Sequence, residues 1–224
     1  MTASIAHEVN QPLSGIISNA SAGQRFIDRG EVDPERLRAI LVDIVADGRR
    51  ATDVIRNIRN TVKKGGTIRE PLDLIQVVRN VTQLMEPDAD SHSCELQTLL
   101  VSNLPMVEGD PVQIQQVLVN LIGNAFDAMS DIPLAQRKVE VTTRLNGNGT
   151  IGISVRDHGP GIREETRNQL FKQFFTTKED GLGMGLAIVR SIVEAHRGTI
   201  AAENAEGGGA RFYFTLPVRK EVQS

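Results

Sequence analysis

Two apolar stripes constrain the first third of this chain more tightly than any other feature. Val9, Leu13, Ile16, Ala20, Gly23 and Ile27 recur at spacings of three and four, and Leu37, Leu41, Ile44, Gly48, Ala51, Ile55, Ile58 and Val62 repeat the pattern. That period puts one apolar face on each of two helices, as in a coiled coil or helical bundle. Asp28-Arg29-Gly30-Glu31-Val32-Asp33-Pro34 joins them. Gly30 ends the first helix, Asp33 caps the second, and Pro34 fits its first position. Two helices bury two such stripes poorly by themselves, so the pattern predicts a homodimer that closes a four-helix bundle.

Lys63-Lys64-Gly65-Gly66 finishes the second helix with cations and then glycines, which marks a domain boundary. Residues 1–66 are read as a helical hairpin and residues 67–224 as a second domain. Beyond the boundary the periods mix. Residues 72–85 read as helix, 95–101 as strand and 110–129 as a strong helix. Strands over 138–145 and 150–156 flank the turn Asn146-Gly147-Asn148-Gly149, a hairpin signal. A helix over 184–196 precedes strands over 198–203 and 210–216. Strands grouped beside helices without strict alternation predict an α+β fold, one mixed sheet covered by helices.

Composition narrows the function. With 40% hydrophobic and 24% charged residues in 224, the chain is globular. A net charge of −3 without a long basic run argues against a nucleic-acid partner. Aromatics at 4%, with no Trp, leave no base-stacking platform. Cys94 is the single cysteine, which excludes an intrachain disulfide and suits a reducing cytosol. No apolar run approaches the ~18 residues of a membrane helix, and no signal peptide is present. No membrane contact is expected of this chain, and a cytoplasmic location is.

The most specific signals lie between residues 116 and 186. Asp157-His158-Gly159-Pro160-Gly161 follows a strand and places two glycines where a chain can turn sharply or approach a ligand. Gly181-Leu182-Gly183-Met184-Gly185-Leu186 leads into a helix, where backbone N–H groups and the helix dipole can face phosphate oxygens. Asn120 and Asn124 stand one helical turn apart and share a face. Their amide oxygens are hard ligands of the kind Mg²⁺ takes.

In this order and at these separations the segments resemble the boxes of bacterial sensor histidine kinases. Asn120 and Asn124 match the N box, Asp157, Gly159 and Gly161 the G1 box, Phe171 to Phe175 the F box, and Gly181, Gly183 and Gly185 the G2 box. Gly207-Gly208-Gly209 resembles the closing glycine turn. The resemblance covers essentially the whole chain. It implies a Bergerat-type α/β sandwich whose ATP site is shared with gyrase-like ATPases. Asp157 would accept a hydrogen bond from the adenine amino group. Asn124 would hold Mg²⁺, with Asn120 positioning the ion or the phosphates. The glycines would line the nucleotide, and Lys178, in a short lid over residues 176–182, could reach the phosphates. His158 would lie near the adenine rim, and Phe171, Phe174 and Phe175 would pack and anchor the lid. One departure separates the chain from gyrase-type ATPases, which carry a Glu four residues before the Mg²⁺-binding Asn. Here Asn120 stands there, and an amide cannot act as a general base at neutral pH. That favours transfer of phosphate over its loss to water.

His7-Glu8-Val9-Asn10-Gln11-Pro12-Leu13 opens the first helix. Neutral imidazole is a competent nucleophile near pH 7, and Glu8 could take the proton of its second nitrogen. Pro12 leaves the Glu8 carbonyl without a helical partner, which favours a kink. The run resembles the H box of oxygen- and dicarboxylate-sensing histidine kinases. It implies that His7 receives phosphate from ATP and passes it to an Asp of a response-regulator receiver domain. Gln11 departs from the Thr or Asn found there in kinases that also dephosphorylate their partner. Only six residues precede His7, fewer than the family's first helix has, so the chain reads as a fragment without its sensor domain. Two other readings compete: a gyrase- or MutL-like ATPase, and a dimeric scaffold that binds nucleotide without kinase activity.

Overall fold

The structure, a computed structural model, describes residues 2–30, 33–62, 69–177 and 183–219, without the side chains of 2–10, 49–50 and 52–62. It divides into two compact units, Met1–Gly66 and Thr67–Ser224.

In the first unit α1 (Thr2–Asp28) and α2 (Pro34–Val62) form a hairpin, and α1 continues through Pro12. The chain turns at Gly30 (φ +69°), and Asp33 Oδ1 accepts the backbone N–H of Glu35 at 3.1 Å. The Arg36 guanidinium sits 4.5 Å over the Phe26 ring and closes the turn end. Between the helices Gly23 lies against Ile40 and Leu37, and Ala51 is buried. Much of the apolar surface stays outside. Leu13, Ile27 and Leu41 join Ile17, Val42 and Val45 among the exposed hydrophobic side chains, with Leu41 at 61%.

The second unit is a two-layer α/β sandwich. Its five-stranded mixed sheet has the order β2-β4-β5-β7-β6, with β2 Glu95–Leu99, β4 Lys138–Asn146, β5 Thr150–Asp157, β6 Thr199–Asn204 and β7 Ala210–Pro217. β2 runs parallel to β4 and the other pairs are antiparallel. Along β5 burial alternates strictly, with Ile151, Ile153, Val155 and Asp157 inward. That period-two pattern marks a sheet with one face covered. The cover is α5 (Pro111–Ala128) and α7 (Gly185–Ala195), with α3 (Leu74–Leu84) packed on α5. Ile114, Leu118, Leu121, Ile122 and Phe126 of α5 meet Val139, Val141, Ile153 and Phe214 of the sheet in one core cluster. Each such side chain, fully buried, contributes about 1.5–3 kcal/mol.

The helix read over 72–85 begins later than its period suggests. Glu70–Leu72 is a short strand, β1, paired antiparallel with β3 (Val107–Gly109). Asp73 then caps α3, its Oδ1 accepting from Ile75 N at 2.9 Å and Gln76 N at 3.2 Å. Met85 separates α3 from α4 (Glu86–Ser91), whose first turn holds Pro87. A three-residue ribbon has too few positions to show a period of two. α6 is a single turn, Glu164–Arg167. No helix among the described residues is long and apolar enough to cross a membrane. Cys94 is buried, and burial pushes its thiol up to about 11, so it stays protonated and unreactive at neutral pH.

His196, directly after α7, ties the helical layer together. It is 2% exposed. Its Nδ1 lies 2.8 Å from the Ile192 carbonyl oxygen and its Nε2 accepts the N–H of Asp110 at 3.0 Å. One ring nitrogen must therefore carry the proton and the other the lone pair. The Arg69 guanidinium adds a hydrogen bond to the Ala195 carbonyl. His196→Ala removes both ring contacts, leaves the Asp110 N–H unmet and opens a void. A loss of about 3 kcal/mol is expected, readable as a lower urea midpoint for the second unit.

Candidate functional site

The site is built on α5. Asp110 caps it through Oδ1, accepting from Val112 N (2.9 Å) and Gln113 N (3.3 Å), and Pro111 takes the first helical position. Its apolar arc faces the sheet. Gln116, Asn120 and Asn124, each four residues apart, form a half-buried polar stripe beside that arc. α7 runs antiparallel alongside, because His196 at its end meets Asp110 while Gly185 at its start lies beside Asn120. A Cβ on Gly185 would stand 3.4 Å from Asn120 Oδ1. Asn120 Nδ2 donates back to the Gln116 carbonyl at 2.9 Å.

Asp157 closes β5 on the buried face, 3% exposed. Its Oδ1 accepts the N–H groups of Gly159 (2.9 Å) and Ala210 (3.0 Å). These two bonds join the end of β5, the loop beyond it and the start of β7. Burial raises the pKa of this carboxyl above the usual aspartate value, against the two backbone bonds that lower it. Gly209 (φ +80°) makes the arrangement possible, since a Cβ there would run into the Asp157 carbonyl oxygen. Gly159 passes the Ala128 carbonyl, where a Cβ would come within 2.8 Å, and Gly161 passes Asn204. Asn204 clamps the loop exit: its Oδ1 accepts Ile162 N at 2.6 Å and its Nδ2 donates to Ile162 O at 3.0 Å. The reading from sequence missed Asn204. An Asn at a strand end before Glu206-Gly207-Gly208-Gly209 was its available signal.

At the other rim Gly183 (φ +63°) touches the main chain of Phe174 and Phe175, with room for no side chain. The F-box and G2-box segments thus meet backbone to backbone. The N-cap residue of α7, Met184, supplies no side-chain capping bond, so the first-turn N–H groups keep their capacity for an anion. Phe171 sets its ring edge-on to Phe212, centroids 6.5 Å apart. Phe174 does not pack: it is 65% exposed at φ +65°, held in that conformation beside Gly183.

His158 turns to Glu140, with Nε2 3.3 Å from Oε2. Lys138 and His158 together hold the Glu140 carboxyl below its usual pKa, Lys138 more strongly. Among the described residues no three His, Cys, Asp or Glu side chains gather to hold a metal. A divalent ion here would have to share amide oxygen with ligand phosphate. Lys178 and Gly181 lie outside the described residues. The backbone of His7 and Glu8 belongs to α1, and their side chains lie outside the description.

Residues 109–220 match the family described as histidine kinase-, DNA gyrase B-, and HSP90-like ATPase. Residues 1–66 match the His Kinase A (phospho-acceptor) domain. The chain belongs to the sensor histidine kinases, as a phospho-acceptor domain followed by a nucleotide-binding domain of the ATPase type. It is 40% identical over 222 residues to the C4-dicarboxylate transport sensor protein DctS of Rhodobacter capsulatus, covering 99% of this chain and 34% of that protein. Histidine kinase ThkA, solved in complex with response regulator protein TrrA, is similar at TM-score 0.72 and 29% identity, over 100% of this chain and 62% of that one. Full-length ShkA, solved in complex with AMPPNP, is similar at TM-score 0.67 and 28% identity, over 96% of this chain and 45% of that one. The chain spans less than half the length of the curated relatives DctS, TmoS and FixL.

Because burial raises the Asp157 pKa in the folded chain, its ionisation opposes folding as pH rises through the folded value, and the opposition vanishes below the unfolded one. Asparagine keeps an oxygen for Gly159 N and Ala210 N and carries no charge. Asp157→Asn is expected to melt at a higher temperature than wild type without ligand, the gap widening as pH rises above the ordinary aspartate value of about 4 and levelling off above the folded one. Thermal melts across that range check it; a variant that loses stability relative to wild type as pH rises contradicts it.

Proposed function

We propose that this chain is an ATP-dependent protein histidine autokinase that phosphorylates His7 and then passes the phosphate to an Asp of a response-regulator receiver domain. The observation that carries the proposal is the pairing, within one chain, of a phospho-acceptor domain with an ATPase-type site whose α5 presents the amide of Asn120 where hydrolysis needs a carboxylate base. ThkA was solved with a response regulator and ShkA with an ATP analogue, which supports both the partner and the nucleotide.

The second unit's residues fit Mg·ATP. Asp157 Oδ2 stands apart from the two backbone bonds on Oδ1 and would take the adenine amino group. Gly159 and Gly161 let the backbone pass close to the base. Gly181, Gly183, Gly185 and the first turn of α7 would face the phosphates, with Lys178 adding charge. Asn124 would hold Mg²⁺, which when bound neutralises charge on the transferring phosphate. His7 attacks the γ-phosphorus through one ring nitrogen as the bond to the ADP oxygen breaks. Glu8 orients the ring by accepting from its other nitrogen, and ATP supply sets the reaction in the cytoplasm.

We also propose a homodimer. The exposed apolar positions Ile17, Leu41, Val42 and Val45 of the hairpin suit the seam of a four-helix bundle.

With γ-labelled ATP the chain should acquire acid-labile, alkali-stable label. His7→Gln should acquire none, and Asn124→Asp should fall to near background; free phosphate without labelled protein would point to an ATPase instead. Leu41→Glu should shift the chain from dimer to monomer in sedimentation equilibrium while its nucleotide affinity stays within about twofold, since charge at a bundle seam costs association and leaves the other unit alone.

A further inference from the structure

The polar stripe of α5 contains a side chain that the fold leaves unmet. Gln116 stands one turn before Asn120, and its Nε2 is enclosed with no hydrogen-bond partner. An enclosed donor without an acceptor weakens the fold, because the hydrogen bond it gives up with water is not replaced. An apolar side chain of the same length removes that cost, so packing alone does not call for glutamine here. α3 shows what the pair can do: Gln76 Nε2 donates to Asn80 Oδ1 at 2.7 Å, also four residues on. Gln116 and Asn120 are the same two residues at the same spacing. Yet Asn120 turns its amide nitrogen back to the Gln116 carbonyl at 2.9 Å. Its Oδ1 faces the first turn of α7 beside Gly185.

We infer that Gln116 is a positioning residue for the nucleotide, acting through Asn120. With nucleotide bound, Asn120 Nδ2 leaves the Gln116 carbonyl and donates to an acceptor oxygen of the ligand, and Gln116 Nε2 donates to Asn120 Oδ1. The Gln116 carbonyl keeps its helical partner, the backbone N–H four residues on. The unmet donor is thus satisfied only when Asn120 faces the ligand. The free chain holds an unsatisfied group whose relief adds to nucleotide affinity. The inference rests on the nucleotide reading of this site and adds a residue that contacts no ligand.

Gln116→Met keeps the length and removes the donor. Calorimetric titration of the full chain with Mg·ATP should show binding weakened about 5- to 10-fold, with the melting temperature of the free chain unchanged or higher. In an Asn120→Ala background the same replacement should change affinity by less than about twofold, because its partner is gone. Gln116→Glu, which sets an acceptor against Asn120 Oδ1, should weaken binding at least as much as Gln116→Met. Wild-type affinity in Gln116→Met, or an equal loss with and without Asn120, overturns the inference. A glutamine that only packs would instead lower the melting temperature and act alike in both backgrounds. If the wild-type chain does not bind Mg·ATP, the nucleotide reading falls and this inference falls with it.

Discussion

The second unit depends on one buried carboxylate. Asp157 gathers two backbone N–H groups onto a single oxygen from inside the helical layer's footprint. A charge so placed is costly, and its raised pKa records the cost. It is tolerated because both bonds come from main chain that cannot move away. Gly209 folds over the Asp157 carbonyl and hands over the N–H of Ala210. Asn204 fixes the loop that begins with Gly159. Two stretches of chain, 157–162 and 204–210, are thereby held at one point, with Oδ2 clear of those two backbone bonds.

α5 connects that point to the rest of the molecule. Its inward arc supplies much of the core, and its polar stripe supplies the amides of the site. The helix is anchored at its start by Asp110 and, through His196, by the far end of α7. Position along α5 is thus position in the site. Asn120 meets the α7 entrance because the two helices are pinned at their opposite ends.

Much of this was legible in sequence where a residue type had one physical use. Gly30, Asp33 and Pro34 announced the hairpin turn, and Asp110 with Pro111 announced α5, because caps and left-handed turns admit few residues. The Asn146–Gly149 turn was legible for the same reason. The ordering of glycine and asparagine segments identified the family. Pairings between distant segments were not legible. The β1–β3 ribbon, the parallel β2–β4 pair and the Asn204 clamp depend on partners between about 35 and 45 residues away, which local periods do not carry. The pairing of His158 with Glu140, on a neighbouring strand 18 residues away, was not legible either. Nothing in the sequence near His196 reveals that Asp110, 86 residues away, waits for its ring.

One helix that is both core and site limits how such a chain can diversify. On α5 the inward positions are held by packing and the next stripe is half-buried and polar, which leaves positions such as Val112, Asp127 and Ala128 open to solvent. Drift has little room there. It has room on the outer surface of the hairpin, where Ile17, Val42 and Val45 already stand exposed. Copies of this gene could therefore part ways in what they assemble with while keeping the same core and the same polar stripe on α5. Chemistry would be inherited and conversation would be learned.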